Sequence, residues 1–222
     1  MERLRTGIPG LDEVLGGGII KDTFLLIAGP SGTGKTIMCL QMTYNHLKEG
    51  KKAIYVSFDE GKRLLDYAKL FGWDFKKYIE EEKFILMDFV AIKAPAITDT
   101  INFIIEKIQE INADLVVIDS LTTLIMSMPE LSEARIAIDF LRKMKPEGTT
   151  LIATANMSTG SKTIGLGIEE IVASTVILLK RYIVRGEIRT KLLVLKMRGS
   201  AHSKRFHDVI ITNSGVQVMP LA

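Results

Sequence analysis

Apolar positions along the chain follow two alternating patterns. Short, nearly continuous runs occupy Thr23–Ala28, Ala53–Phe58, Phe84–Val90, Leu115–Ile118 and Thr149–Thr154, with the length and β-branched content of buried strands. Between them, apolar residues recur at helical spacing. Ile37–Leu47 follows the first run, a helix is expected at about 61–71, and another at about 132–144 with Ser132 as its N-cap. Over 97–111, Ile97, Ile101, Ile104, Ile105 and Ile108 form one apolar stripe. Strands of this kind alternating with helices predict an α/β fold, a mainly parallel sheet flanked by helices. After about residue 170 the pattern changes. Ser174–Arg181, Glu187–Met197 and Asp208–Val218 read as strands, with turn signals at Arg185-Gly186 and Asn213-Ser214-Gly215, so antiparallel C-terminal hairpins are expected. There is no internal repeat, low-complexity tract or linker, and residues 1–222 read as a single domain.

Composition narrows the class without naming a chemistry. The 47% hydrophobic and 25% charged content is that of an ordinary globular chain, and the net charge of +3 is too small to imply nucleic-acid binding by itself. The charge is uneven, however. Lys180, Arg181, Arg185, Arg189, Lys191, Lys196, Arg198, Lys204 and Arg205 fall in one stretch against a single acid, Glu187. Such a stretch suits phosphates or a solvated face. The one cysteine, Cys39, excludes an intrachain disulfide and is expected to be buried and inert. With it and only three histidines there is no metal-ligand cluster. The N-terminus has no apolar signal region and no apolar run approaches about 18 residues, so a cytoplasmic protein without membrane contact is expected.

The chemistry is carried by Gly29-Pro30-Ser31-Gly32-Thr33-Gly34-Lys35-Thr36, a full match to the phosphate-binding loop G-x-x-x-x-G-K-[ST], set between a strand and a helix as that motif requires. Its glycines let successive backbone N–H groups curl around one phosphate chain, and the helix N-terminus adds partial positive charge. Lys35 supplies an ammonium for the β- and γ-phosphates, and the Thr36 hydroxyl is a Mg²⁺ ligand. Binding of a nucleoside triphosphate follows. Hydrolysis needs more. Asp119 ends the run Leu115–Ile118, where open α/β sheets bind ligands, and reads as a Walker B carboxylate holding Mg²⁺ through water. Asp59-Glu60 ends another run; either this pair orients the attacking water or it caps a helix beginning near Gly61. Thr154 and Asn156, at the next strand end, are candidates to sense the γ-phosphate.

Several further segments accompany the loop: Thr6-Gly-Ile-Pro-Gly-Leu-Asp12, Leu15-Gly-Gly-Gly18, Tyr55-Val-Ser-Phe-Asp-Glu60, Phe71-Gly-Trp-Asp74, Val117-Ile-Asp-Ser-Leu121 and Leu195-Lys-Met-Arg-Gly-Ser-Ala-His202. Together they resemble the KaiC-like branch of the RecA/RadA P-loop ATPases, in particular the single-domain archaeal members, over nearly the whole chain. The resemblance implies a RecA-like core, ATP with Mg²⁺ as the ligands, adenine rather than guanine as the base, and Glu60 as the catalytic carboxylate. The family usually has two adjacent glutamates, and here the first is Asp59. It also implies that Lys196 and Arg198 reach the neighbouring subunit's nucleotide, with His202 and Lys204 near it, in a homo-oligomeric ring, a hexamer. In recombinases the segment matching 156–167 binds single-stranded DNA; here it offers Lys162 and no aromatic. Two readings therefore stand: a ring ATPase coupled to DNA recombination or repair, and an ATP-dependent regulatory module with slow hydrolysis and no DNA coupling.

Overall fold

In the strand before the phosphate-binding loop, β3 (Phe24–Gly29), Leu25 and Ile27 join one buried cluster while Phe24, Leu26 and Ala28 join another. β4 (Ala53–Ser57) and β6 (Leu115–Asp119) divide in the same way, Tyr55 and Val117 to the first side, Val56 and Ile118 to the second. A strand buried on both faces has no polar side to show, which is why these runs are continuously apolar. The structure, a computed structural model, describes residues 1–89, 97–128, 130–158, 160–161 and 163–221, and of residues 97, 98 and 131 the backbone alone.

The first face is covered by α2 (Lys35–Lys48) and α3 (Arg63–Leu70), joined by the short α4 (Lys76–Glu80) and by α1 (Leu11–Val14) with its flanking two-stranded ribbon, β1 (Arg3–Leu4) and β2 (Ile19–Ile20). The second carries α5 (Ile97–Ile111), α6 (Leu121–Met126), α7 (Leu131–Met144) and α8 (Ile168–Val172). The stripe on α5 is seated as its period requires: Ile101, Ile104, Ile105 and Ile108 are all buried in the second cluster, while the Ile97 side chain lies outside the described residues.

One nine-stranded sheet runs through the molecule in the order β11-β10-β9-β8-β3-β7-β6-β4-β5. Its members are β5 (Phe84–Asp88), β7 (Thr150–Asn156), β8 (Thr175–Val184), β9 (Glu187–Met197), β10 (His207–Thr212) and β11 (Gly215–Pro220) with the three above. From β8 to β5 every pairing is parallel; β9, β10 and β11 add on antiparallel. This is the expected α/β architecture with C-terminal hairpins, and the run Asp208–Val218 is two strands folded at Asn213-Ser214. Two expectations differ in detail. Helix α7 starts at Leu131 after the extended Glu130, so Ser132 lies inside the first turn and its hydroxyl donates to the Glu130 carboxylate rather than capping the helix. The strand expected to reach Val90 ends at Asp88, and Val90 itself lies outside the described residues.

Candidate nucleotide site

Because the six strands are parallel, their C-terminal ends lie along one edge, and the loop leaving β3 opens there. Gly32 and Gly34 have φ of 75° and 93°, a region that side chains avoid. At Gly29 the constraint is space: a Cβ would lie 2.8 Å from the Leu179 carbonyl on β8. Lys35 is buried, and its ammonium donates to the carbonyls of Gly29 (2.8 Å) and Pro30 (3.1 Å). Burial lowers its pKa, Asp119, Cys39 and Asp59 oppose that shift, and the positive charge of Arg181 adds to it. Cys39 is buried as expected, and burial pushes its thiol well above the usual value, leaving it protonated and inert.

A cleft of about 340 Å³ lies against the loop, lined by Ser31, Gly32, Gly34, Lys35, Thr36, Ile37, Ser57, Asp59, Glu60, Asp119, Ser120 and Asn156. Residues far apart in the chain are thus brought to one wall of one cavity. Tyr55, Asp119 and Thr154 share a face by the two-residue period of their strands, since each lies two residues from a neighbour (Ala53, Val117 and Ile152 in turn) in the first cluster. Their side chains accordingly meet. The Tyr55 hydroxyl donates to one carboxylate oxygen of Asp119 at 2.7 Å, and the Thr154 hydroxyl to the other at 2.5 Å. Burial and the adjacent Asp119 keep the Tyr55 phenol protonated, so it remains a donor. Each carboxylate oxygen retains acceptor capacity for water. Thr154 is fully buried and spent on Asp119, which corrects its expected role at the γ-phosphate; Asn156, exposed at the strand end, does line the cleft.

The two alternatives for Asp59-Glu60 separate on geometry. The turn after β4 is held by Ser57, whose hydroxyl accepts from the amides of Glu60 (3.3 Å) and Gly61 (2.9 Å). The Lys62 amide is met by Asp88 at 3.2 Å. Neither acid is the helix cap, and both are exposed on the cleft wall. Asp59 accepts from the Thr123 hydroxyl at 2.9 Å and Glu60 from the Tyr67 hydroxyl at 3.0 Å.

The remaining expected site residues lie elsewhere. Lys196 donates to the Glu170 carbonyl (2.6 Å), and Arg198 to that of Ile171 (3.4 Å). The Arg198 amide bonds the Ser174 carbonyl, and the Ser174 amide bonds that of Phe24, the first residue of β3. The phosphate-binding loop begins at the last residue of that strand, so the Arg198 backbone lies about 16 Å from it along the strand direction at a rise of about 3.3 Å per residue, while Lys196, paired with Val176 beside Leu26, lies about 10 Å along it and two strands away. His202 turns back on the Ser200 carbonyl (3.4 Å) and Lys204 is exposed; none of the four lines the cleft. Lys162 lies outside the described residues. Sequence reasoning passed over Tyr55 as a partner of Asp119 and Arg181 as a neighbour of the loop, where it donates to the Ser31 carbonyl. The one signal for Arg181 was its place where β8 leaves the core, after Leu179.

The glycine cradle and the carboxylate of Asp119 opposite Thr36 suit a Mg²⁺–triphosphate. Among the described residues no group of three His, Cys, Asp or Glu could hold another metal, and no helix is long and apolar enough to cross a membrane. The fold and cleft together define a RecA-type P-loop ATPase. A family model described as "ATPase: KaiC" matches residues 4–222, and the chain belongs to that family of ATP-binding ATPases. It is 35% identical to the UPF0273 protein PH0284 of Pyrococcus horikoshii, over 98% of this chain and 94% of that protein. It is 32% identical to the circadian clock oscillator protein KaiC of a Picosynechococcus species, over the whole of this chain but only 45% of the clock protein. Among solved structures, the KaiC-like protein PH0186 from Pyrococcus horikoshii superposes with a TM-score of 0.88 at 32% identity, covering 99% of each chain.

Proposed function

We propose that the protein hydrolyses ATP with Mg²⁺ in a homo-oligomeric ring whose sites are completed by the neighbouring subunit. The observation that carries the reading is the single cleft holding the loop 29–36, Asp119 and Glu60 together. In it the loop amides and Lys35 grip the phosphates. Thr36 and Asp119 would hold Mg²⁺, which when bound neutralises phosphate charge. Tyr55 and Thr154 fix the Asp119 carboxylate. The Glu60 carboxylate, exposed and held among the described residues by Tyr67, can take a hydrogen bond from the attacking water.

The separation of Lys196 and Arg198 from their own loop supports action in trans. Set back from the loop and turned to the Glu170 and Ile171 carbonyls, they do not meet phosphates bound to the same chain, whereas an adjacent subunit could present them to its neighbour. His202 and Lys204, in the connection between β9 and β10, are assigned to the same interface, in a hexamer. The segment 156–167 carries one cation and no aromatic, which favours a nucleotide-driven assembly without DNA coupling.

The test is turnover and nucleotide binding measured on three proteins. Lys35→Ala loses ATP binding. Glu60→Gln binds ATP but loses hydrolysis, and wild-type turnover in that variant removes Glu60 from its role. Stimulation of the wild type by single-stranded DNA with a steep salt dependence would replace the reading without DNA by one coupled to it.

A further inference from the structure

Among the described residues, Arg181 is the one cation outside the loop that touches it. β8 runs parallel to β3 with Leu178 beside Ala28, so residues 180 and 181 continue alongside the loop after β3 has ended. The Arg181 guanidinium donates to the Ser31 carbonyl, and a Cβ on Gly32 would lie 2.5 Å from the same nitrogen. Lys35 meanwhile holds the carbonyls of Gly29 and Pro30. Three consecutive loop carbonyls, 29 to 31, are therefore held by two cations from different elements, Lys35 on α2 and Arg181 on β8. Directly across β9 from Arg181 stands Thr190, so its cross-strand neighbour does not neutralise it.

We propose that Arg181 is a phosphate-binding residue acting within its own subunit, contacting the terminal phosphate of bound ATP from the outer rim of the loop. The proposal rests on the nucleotide reading above and extends it to a residue outside every motif. Two like charges drawn to one loop repel each other, and an anion lodged between them relieves the repulsion. A carbonyl is a neutral acceptor; a phosphate oxygen is charged, and hydrogen bonds between ionised partners are roughly twice as strong as neutral ones. Both cations thus gain by exchanging loop carbonyls for phosphate oxygens. Lys35 reaches the β- and γ-phosphates from the helix end of the loop, and the Thr36 hydroxyl faces the Mg²⁺. Ser31 and Gly32 form its outer turn and border the cleft beside Glu60 and Asn156, which places Arg181 at the terminal phosphate.

Calorimetric titration of Mg²⁺-ATP and Mg²⁺-ADP into wild type, Arg181→Ala, Arg181→Lys and Lys35→Ala tests this. The expected result is that Arg181→Ala weakens ATP about tenfold or more while ADP changes by a smaller factor, with Arg181→Lys between the two because an ammonium keeps the charge and loses the fork. Arg181 is exposed, so thermal melts of both variants should match the wild type. ATP affinity within about twofold of wild type, or tighter, overturns the proposal, as does equal weakening of ATP and ADP. Restoration of tight ATP binding on mixing Arg181→Ala with Lys35→Ala subunits would place the arginine in trans and overturn it too. Failure of the wild type itself to bind ATP would sink the nucleotide reading instead, a result distinct from any of these.

Discussion

Asp119 is positioned by two hydroxyls, and each can be removed almost without changing shape. Tyr55→Phe takes away the donor at 2.7 Å and Thr154→Val the one at 2.5 Å. A carboxylate that has lost one orienting partner holds a metal less well, and groups that orient a ligand from behind are typically worth 10- to 100-fold in metal affinity. Either variant is therefore expected to raise the Mg²⁺ concentration for half-maximal turnover by about tenfold, while stability falls by about 1 kcal/mol for the lost hydrogen bond. A magnesium titration of turnover reads the first, and denaturant melts the second; an unchanged magnesium midpoint would mean that Asp119 does not depend on the pair. His46 on α2 makes a separate prediction. Among the described residues its ring nitrogens have no hydrogen-bond partner, and burial lowers its pKa to about 4 from an ordinary 6.5. Above pH 6.5 it is neutral whether folded or unfolded. Between pH 6.5 and about 4 the unfolded chain binds a proton that the folded protein refuses, so folding stability falls with pH across that window. A shift of that size corresponds to about 3 kcal/mol at most. His46→Leu should remove this part of the acid sensitivity, seen as a smaller drop in denaturant midpoint between pH 7.5 and pH 4.5 than in the wild type.

The hairpin of β8 and β9 shows how an element can carry a correctable strain. Val184 pairs with Glu187, leaving Arg185 and Gly186 as a two-residue loop with φ of 50° and 81°. Both residues are left-handed, as in a type I′ turn, whose preferred sequence is Asn-Gly. Arginine at the first position carries the steric cost of a Cβ in that region. Arg185→Asn is expected to stabilise the protein by about 0.5 kcal/mol, raising its melting temperature without altering turnover. This hairpin was readable in advance because Arg-Gly between two apolar runs is a local signal. So were β3 with α2, α5 and β9, whose periods extend over enough residues to be recognised. The five-residue helices α4 and α8 and the two-residue strands β1 and β2 are too short to show a period. In α4 the seat is supplied by a tertiary aromatic cluster, Tyr78 against Tyr44 and the adjacent Phe75 against Phe84. The same division runs through the site. Lys35, Thr36 and Asp119 announce themselves by their chain neighbours, whereas Glu60 needs the family resemblance to be told from a helix cap. Tyr55, Thr154 and Arg181 owe their positions to the register between strands, which chain order does not reveal.

As a whole, the molecule sets the loop, Asp119 and Glu60 where the parallel strands end, and Lys196 and Arg198, the pair proposed to act in trans, near where β3 and β8 begin. One subunit thus offers a binding cleft at one end and a pair of cations at the other, the arrangement of a head-to-tail contact, which closes into a ring if the rotation between neighbours allows. The proposed heterologous contact would make hydrolysis depend on assembly. Turnover per subunit should then rise with protein concentration, and Arg198→Ala should cut it by about 10³-fold while ATP binding survives. Mixing supplies the decisive form of the test. Arg198→Ala subunits keep an intact Glu60 and cleft, and Glu60→Gln subunits keep Arg198. In rings assembled at random from equal amounts, half the subunits have a competent cleft and half of those face an intact arginine, so about a quarter of wild-type turnover is expected from two proteins that are each inactive alone. Absence of recovery at every mixing ratio, with co-assembly shown by light scattering, would place Arg198 outside the neighbouring site and remove the reason for a ring.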